Sequence, residues 1–506
     1  MTATELRWDP PGAGRWDSDP VHWPKPAARL AQAPFVNGTR EGLGRAFARH
    51  GLPFRTLDMA FVNDVLFQRI VLCDADELER RAPIATHARD VEQWRTDAER
   101  WRTTVKPRRL AVNLALQDVD PLELDEASYV KYLRDLTTEL QAAIDEHMDL
   151  VCIGDVIGRL LLAGEPWGIA NADLLALLAG SSPGSTEAAA SARAIATMLR
   201  GAVVTSLVEA RAVSDDVRHA IDAHVRLHGW RMLDSYGPDG TTLAERPELL
   251  LRTIVSVLDR PVVDVAALER QIRRRVPPKD RTRFDELLAD ARDAYGVRDD
   301  NEGLTLLWPM GLLRRALLAA TRRLGRDAFV LDLDEIESLL LERGGPSIDE
   351  VADRVRRREV AAAAIPSTIG VDHEVAPDIP AAILPSLAAA EAAWGAELVA
   401  GDAVGIGIGK LPYTGRACVC ADAASALDEL APGDVLITST TTSAFNAVLT
   451  IAGALVVEAG GPACHAALVA RELGLPAVVG LADATTRFRT GDLVTVDPAT
   501  GSVVAA

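Results

Sequence analysis

The sequence is poor in the residues that build disulfide scaffolds, aromatic cores or membrane spans. Five cysteines occur in 506 residues, at positions 73, 152, 418, 420 and 464. They are too few and too scattered for a disulfide framework. Cys418 and Cys420 form a C-x-C inside an apolar run. With no second cluster of Cys or His beside it, that pattern reads as alternate positions on a strand, and no metal is expected. Aromatic residues make up 5% of the chain, so its cores must rely on Ala, Leu and Val, a composition that favours helices. The longest apolar run near the C-terminus, Ala447–Val457, falls far short of a bilayer span. The opening MTATELRWDPPGAGRWDSDP has neither the basic nor the apolar segment of a secretory signal, so a soluble, cytoplasmic protein is expected. Positive charge is short as well. Lys and Arg number 54 against 73 Asp and Glu, a net charge of −19, which excludes a general nucleic-acid binder. What is abundant is apolar residue, 48% of the chain, enough for sizeable cores in several domains.

Four stretches differ in pattern. Residues 1–40 read as an extended N-terminal arm, with Trp8, Trp16 and Trp23 among Pro and Gly, packed on a domain surface through its rings. Residues 41–365 are mainly helical. Tyr129, Val130, Leu133, Leu136, Leu140 and Ile144 recur at three- and four-residue steps after Asp125-Glu126. Ser185-Thr186-Glu187 opens an Ala-rich helix, Pro309 starts or kinks another, Asp334 precedes a third, and Ser347 with Glu350 forms a capping box. Residues 366–399 are a Pro-rich linker with a short helix at about 386–398. From 400 to 506 short Val/Ile/Leu runs alternate with glycine turns around one helix, at about 464–473, the pattern of a small α/β domain. The fold class expected is multidomain: a large, mainly α-helical domain followed by a small α/β domain.

Chemistry concentrates in Glu458-Ala-Gly-Gly-Pro-Ala-Cys-His-Ala-Ala-Leu-Val-Ala-Arg471. The pattern is strand, glycine turn, helix. Gly460 and Gly461 permit a tight turn and close approach of another molecule. The helix starts near Ala463 or Cys464, which puts His465 in its first turn. There, free N–H groups and the positive dipole end suit an anion. A neutral imidazole in that place is a nucleophile able to carry a phosphoryl group. Arg471, six residues on, adds charge or pairs with an acid.

The block GDVLITSTTTSAFNAVLTIAGALVVEAGGPACHAALVARELGLPAVVG resembles the phosphohistidine, or swivelling, domain of the phosphoenolpyruvate-utilising enzymes, the group of phosphoenolpyruvate synthase, pyruvate phosphate dikinase and rifampin phosphotransferase. The closing GDLVTVDPATGSVV fits the same domain. The resemblance implies that His465 becomes phosphorylated, supported by Gly460, Gly461, Cys464 and Arg471. More weakly, LHGWRMLDSYGPDGTTLAERPELLL and FDELLADARDAYGVRDDNEG are similar to segments of the rifampin phosphotransferase substrate domain. That similarity implies an acceptor-substrate domain over 41–365, with Arg231, Arg298, His228 and Trp230 as substrate-binding candidates.

The sequence departs from the family at several places. Trp230 stands where the family has the His of a G-H-R motif, Arg231 is kept, and His228 is a substitute base two residues away. Arg298-Asp299 replaces an R-E pair. Thr441-Thr442-Ser443-Ala444-Phe445 lacks the family's proline, and Gly409-Lys410-Leu411 replaces S-P-G.

The family's ATP-grasp domain, which loads the histidine, finds no room in these residues, and no G-x-x-x-x-G-K loop occurs. The resemblance therefore implies a separate ATP-grasp protein acting in trans. That protein would hold ATP and Mg2+, with no cofactor on this chain, and the chain would be a dikinase-like phosphotransferase component. The acceptor is a small-molecule oxygen, either a hydroxyl or an enol or carbonyl oxygen activated for dehydration or condensation, as in prodigiosin-type enzymes of secondary metabolism. The competing reading is a degenerate, non-catalytic relative that binds a ligand or partner.

Overall fold

The computed structural model describes residues 6–19, 22–23, 25–233, 235–256, 264–371, 377–395, 404–409, 411–441, 445–461 and 464–506. The chain divides into two compact units, each discontinuous in sequence. One holds Met1–Cys152, Ser235–Gly240 and Asn301–Leu387; the other holds Ile153–Asp234, Thr241–Asp300 and Ala388–Ala506. The helical stretch 41–365 is thus shared between both units, and residues 400–506 fall in one unit with the helices of 153–300.

In the first unit, the apolar steps from Tyr129 to Ile144 form the buried side of the helix Glu126–Asp149. Its start is capped by the Asp125 carboxylate, which accepts from the Ser128 N–H at 2.7 Å. This helix packs along Arg29–His50, and glycines set how closely. A Cβ on Gly38 would lie 2.7 Å from the Gln141 oxygen, and one on Gly42 2.3 Å from the Asp145 oxygen. Gly42→Leu is therefore expected to cost about 3 kcal/mol in urea unfolding. In Gly44→Ala, where the nearest atom lies at 3.6 Å, the midpoint should instead rise, since Ala is favoured over Gly inside a helix by about 0.5–1 kcal/mol.

The helix Arg29–His50 begins inside the stretch read as an extended arm. Pro34 removes one hydrogen bond in its second turn. The helix persists because Phe35, Leu43, Ala46 and Phe47 bury along it. The arm ahead of it is held by buried Trp16 and Trp23, the latter edge-on to Phe35 and Phe61 with centroids 4.8 and 5.6 Å away.

Four strands, β1 (Arg15–Ser18), β2 (Phe54–Val62), β3 (Val65–Leu72) and β4 (Thr368–Gly370), form an antiparallel sheet in the order β2-β3-β1-β4. This corrects two expectations. A hairpin interrupts the helical stretch, and β4 lies within the presumed linker. The hairpin turns on Asn63 and Asp64, both left-handed at φ 51° and 62°, the backbone that matches strand twist. The linker's helix runs over Leu384–Gly395. The Ser347–Glu350 capping box is present, whereas the helix Leu333–Leu340 is capped by Asp332, two residues before the expected acid.

In the second unit, β5 (Ile406–Ile408), β6 (Tyr413–Val419), β7 (Val435–Thr438), β8 (Ala454–Val457), β9 (Ala477–Val479), β10 (Leu493–Asp497) and β11 (Ser502–Ala505) form one sheet in the order β11-β10-β6-β7-β8-β9-β5. Strands β6 to β9 run parallel, and the flanking strands are antiparallel. Parallel strands are covered on both faces, which is why these runs are continuously apolar. Val435, Ile437, Ala454, Val456 and Val478 fill the inside of a curl. The curl brings its ends together, with the Gly405 N–H donating to the Gly501 oxygen at 3.0 Å.

Leu436, Leu455, Val457, Ala477 and Val479 share a second core with Ile195, Ile221, Leu250 and Ile254. These four lie on the helices Pro183–Met198, Asp215–His224 and Pro247–Ser256. Polar ties follow the same line: Arg246 to Asp428 at 2.7 Å, the Ser256 hydroxyl to the Thr450 oxygen at 3.0 Å, and Arg252 to the Leu430 oxygen. The outer face of the small α/β domain is thus completed by helices from 183–256. Cys418 and Cys420 do occupy alternate positions, with sulfurs 3.4 Å apart. Their donor atoms and that of Glu429 lie within 4.8 Å of one another, but burial pushes both thiols up and keeps them neutral.

Candidate functional site

The glycine turn follows β8. The Glu458 and Ala459 N–H groups still donate to the Thr438 and Ser439 oxygens, at 3.1 and 2.9 Å. Gly460 then turns the chain at φ 124°, a backbone that disfavours any side chain. The Glu458 carboxylate braces the turn by accepting from the Thr485 amide at 2.7 Å and its hydroxyl at 2.6 Å. The Cys464 N–H donates to the Gly461 oxygen at 3.1 Å, and the helix His465–Leu473 begins. It ends on left-handed Gly474, with the Leu475 N–H on the Ala470 oxygen at 2.8 Å.

His465 is the first residue of this helix, in the first turn where the sequence reading puts it. Its imidazole, like Pro462 and Ala463, lies outside the described residues, as do Lys410 and the segment 442–444. Cys464 is the N-cap residue, extended and buried, and its side chain makes no capping bond. First-turn amides without a side-chain cap suit an oxyanion.

Arg471 is 8% exposed. Burial pushes its guanidinium down to about 10 against the favourable charges of Cys464, Tyr295 and Asp173. Leu468 of the same helix packs against the cluster of Leu174, Phe284, Leu288 and Tyr295. Leu468 thus helps seat this helix against Asn171–Ala176 and Arg281–Glu302.

A second polar cluster lies among the helices of the same unit. Helix Asp215–His224 runs into a π turn, Val225–Gly229, and Trp230, half-buried, closes it. The His224 and His228 rings are 5.0 Å apart, and His224 Nδ1 lies 3.0 Å from the Ser191 hydroxyl. Arg231 is partly buried, with the charges of Asp300, Asp299 and Glu187 acting on it. The Ser182 hydroxyl donates to Asp299. The structure thus brings His228 and Arg231 together, whereas Arg298 is an exposed residue one position before Asp299. His224 and Asp300 went unseen in the sequence. The H-x-x-x-H spacing, which places two side chains on one side of a helix, was the available signal.

Burial first, and the Arg231 charge second, lower His224 from 6.5 to about 4 and His228 to about 3. Depressed histidines stabilise the fold above their unfolded value of 6.5, and that stability is lost as pH falls below it. The thermal midpoint is accordingly expected to drop between pH 6.5 and pH 4. The double variant His224→Gln/His228→Gln should flatten that part of the curve.

Residues 430–501 match the family described as PEP-utilising enzyme, mobile domain. This match lies in the C-terminal region of the chain and includes the glycine turn and the helix His465–Leu473. Among individual proteins, an uncharacterized protein of Mycobacterium tuberculosis is 30% identical over 299 residues, 56% of this chain and 31% of that protein. Phosphoenolpyruvate synthase of Escherichia coli is 48% identical over 77 residues, 15% of this chain and 10% of the synthase. A probable phosphoenolpyruvate synthase of Pyrococcus abyssi is 44% identical over 99 residues, 19% and 12% of the two chains. The chain thus spans about a third of the mycobacterial protein and a tenth of the synthases. Among the described residues, no helix is long and apolar enough to cross a membrane.

Proposed function

We propose that this chain is a phosphotransferase component that carries a phosphoryl group on His465 between a donor protein and a small molecule. The observation that carries the proposal is the placement of His465 as the first residue of a helix, behind the Gly460 turn, inside the matched domain. The donor is an ATP-grasp protein acting in trans, which holds ATP and Mg2+. On loading, a phosphorus–oxygen bond of ATP would break, a nitrogen–phosphorus bond to His465 would form, and the rest of the nucleotide would leave on the donor protein. The first-turn amides offset the negative charge of the phosphoryl oxygens. The acceptor binds among the helices of 153–300, beside Arg231 and His228, with Trp230 flanking and Arg298 at the rim. Phosphoryl transfer depends mainly on positioning and on positive charge, and Arg231 supplies that charge.

The test is to incubate the chain with the ATP-grasp protein and phosphorus-labelled ATP, then to follow acid-labile label on this chain. Label near one per chain is expected, falling to background in His465→Ala. Undiminished label in that variant would end the assignment. An unlabelled wild-type chain would favour a ligand-binding role instead.

A further inference from the structure

Residues 265–283 hold seven Lys and Arg against two Asp and Glu, in a chain whose net charge is −19. They form the helix Val265–Arg275, the 3-10 turn Pro278–Asp280 and the start of the helix Arg281–Glu302. Part of this charge has a structural reason. Arg273, Arg274 and Arg275 lie in the last turn of the first helix, where cations complement the dipole. Arg273 pairs with Asp285 and Arg275 with Asp173, each at 2.7 Å. The rest of the charge has no such reason. Arg281 and Arg283 stand in the first turn of the next helix, which holds no acid and where positive charge is disfavoured. Glu269, next to Arg270 in the chain, is held by Arg292 at 2.8 Å. Arg270, Arg274, Lys279 and Arg283 are exposed, and no acid among the described residues pairs with them. The Arg273–Asp285 pair ties the two helix ends together, so these cations share one surface.

That surface backs onto the helix His465–Leu473. Ile272, Val276 and Phe284 are buried in the apolar cluster against which Leu468 packs, and Leu468 lies one turn along from His465. We propose that the basic surface of Arg270, Arg274, Lys279 and Arg283 docks an acidic face of the protein that phosphorylates His465. This rests on the phosphohistidine reading above. The argument for the occupant is charge complementarity. An acidic protein is repelled by a chain of net charge −19 and attracted to this one cationic turn, which steers the encounter and fixes its orientation. A protein seated there lies beside the helix that begins at His465. A nucleic acid fits less well, because its charge extends along its length and would meet the negative surroundings as well as the patch.

The test is the rate at which the full-length chain gains acid-labile label at His465, measured against the concentration of the ATP-grasp protein with labelled ATP. In Arg270→Glu/Arg274→Glu/Arg283→Glu, the donor concentration for half-maximal rate should rise by about tenfold or more, while the rate at saturating donor stays that of wild type. The Gln triple variant should fall between the two. For wild type, half-saturation should climb steeply between about 30 and about 300 mM salt, and for the Glu variant it should stay nearly flat. Arg80→Glu/Arg322→Glu/Arg357→Glu makes the same change in net charge at exposed positions elsewhere and should match wild type. An unchanged half-saturation in the first variant, or an equal rise in the second, overturns the proposal. So does tight binding of a single-stranded oligonucleotide that the first variant loses while its loading is unaltered, which would give the surface to nucleic acid. Label that persists in His465→Ala, or a wild-type chain that takes no label, is instead the failure of the phosphohistidine reading, and the docking proposal falls with it.

Discussion

Replacing Ile254 with Asp is expected to unfold the α/β sheet together with the helices that cover it. Ile254 is fully buried on the helix Pro247–Ser256, in the same apolar cluster as Leu436 of β7 and Leu455 of β8. A carboxylate in that place has no partner, and burying it costs about 4 kcal/mol or more. If residues 400–506 carried a complete core of their own, amide exchange in β7 and β8 would stay slow in this variant. The shared core requires the opposite: the Leu436 and Leu455 amides should lose protection in step with those of Pro183–Met198 and Asp215–His224. Val255→Asp is the control, since Val255 is 49% exposed on the same helix and should leave exchange unchanged.

Replacing Gly460 with Val should abolish most phosphoryl loading without unfolding the chain. Gly460 sits at φ 124°, where a branched side chain costs about 1–3 kcal/mol of backbone strain. Relief of that strain would have to move the turn, yet the Gly460 oxygen is already close to Gly480, 3.0 Å from where a Cβ on Gly480 would lie. The start of the His465 helix would shift with it. A displacement of about 1 Å at a reacting centre lowers rates by roughly 100-fold, and loading is expected to fall by that much. Gly491→Ala separates strain from position. Gly491 also has positive φ, at 102°, with nothing within 4 Å of its would-be Cβ, and it lies outside the turn ahead of His465. It should lose stability and keep its loading rate.

The glycine turn ahead of His465 was legible in the sequence because its parts are local. A glycine pair, a helix start and a glycine C-cap at Gly474 each follow from residue type at fixed spacing, and the helix was placed to within a residue. The parallel strands were legible for a related reason, since burial on both faces writes itself as unbroken Val/Ile/Leu runs. Other features depended on contacts far apart in the chain. Nothing around Leu250 or Ile254 reports that their partners are Leu436 and Leu455, nearly two hundred residues on, so the boundary near 400 looked like the edge of an independent domain. The β2–β3 hairpin was hidden differently. Its Asn63-Asp64 turn was a readable signal that the broad helical reading of 41–365 passed over. In the helical cluster, Arg231 and His228 could be named from sequence, whereas Asp300 and the Ser191 anchor of His224 become visible only when four helical segments converge.

The central claim is that one imidazole, His465, is the covalent carrier. The most direct measurement is to incubate the chain with its ATP-grasp partner and ATP, digest it at neutral pH, and sequence the phosphopeptide by mass spectrometry. The chain has nine histidines. The account requires phosphate on His465, within the segment that runs from Gly460 to Arg471, and on none of the other eight. Phosphate on a different residue, or a fully active pair that leaves His465 unmodified, would contradict it.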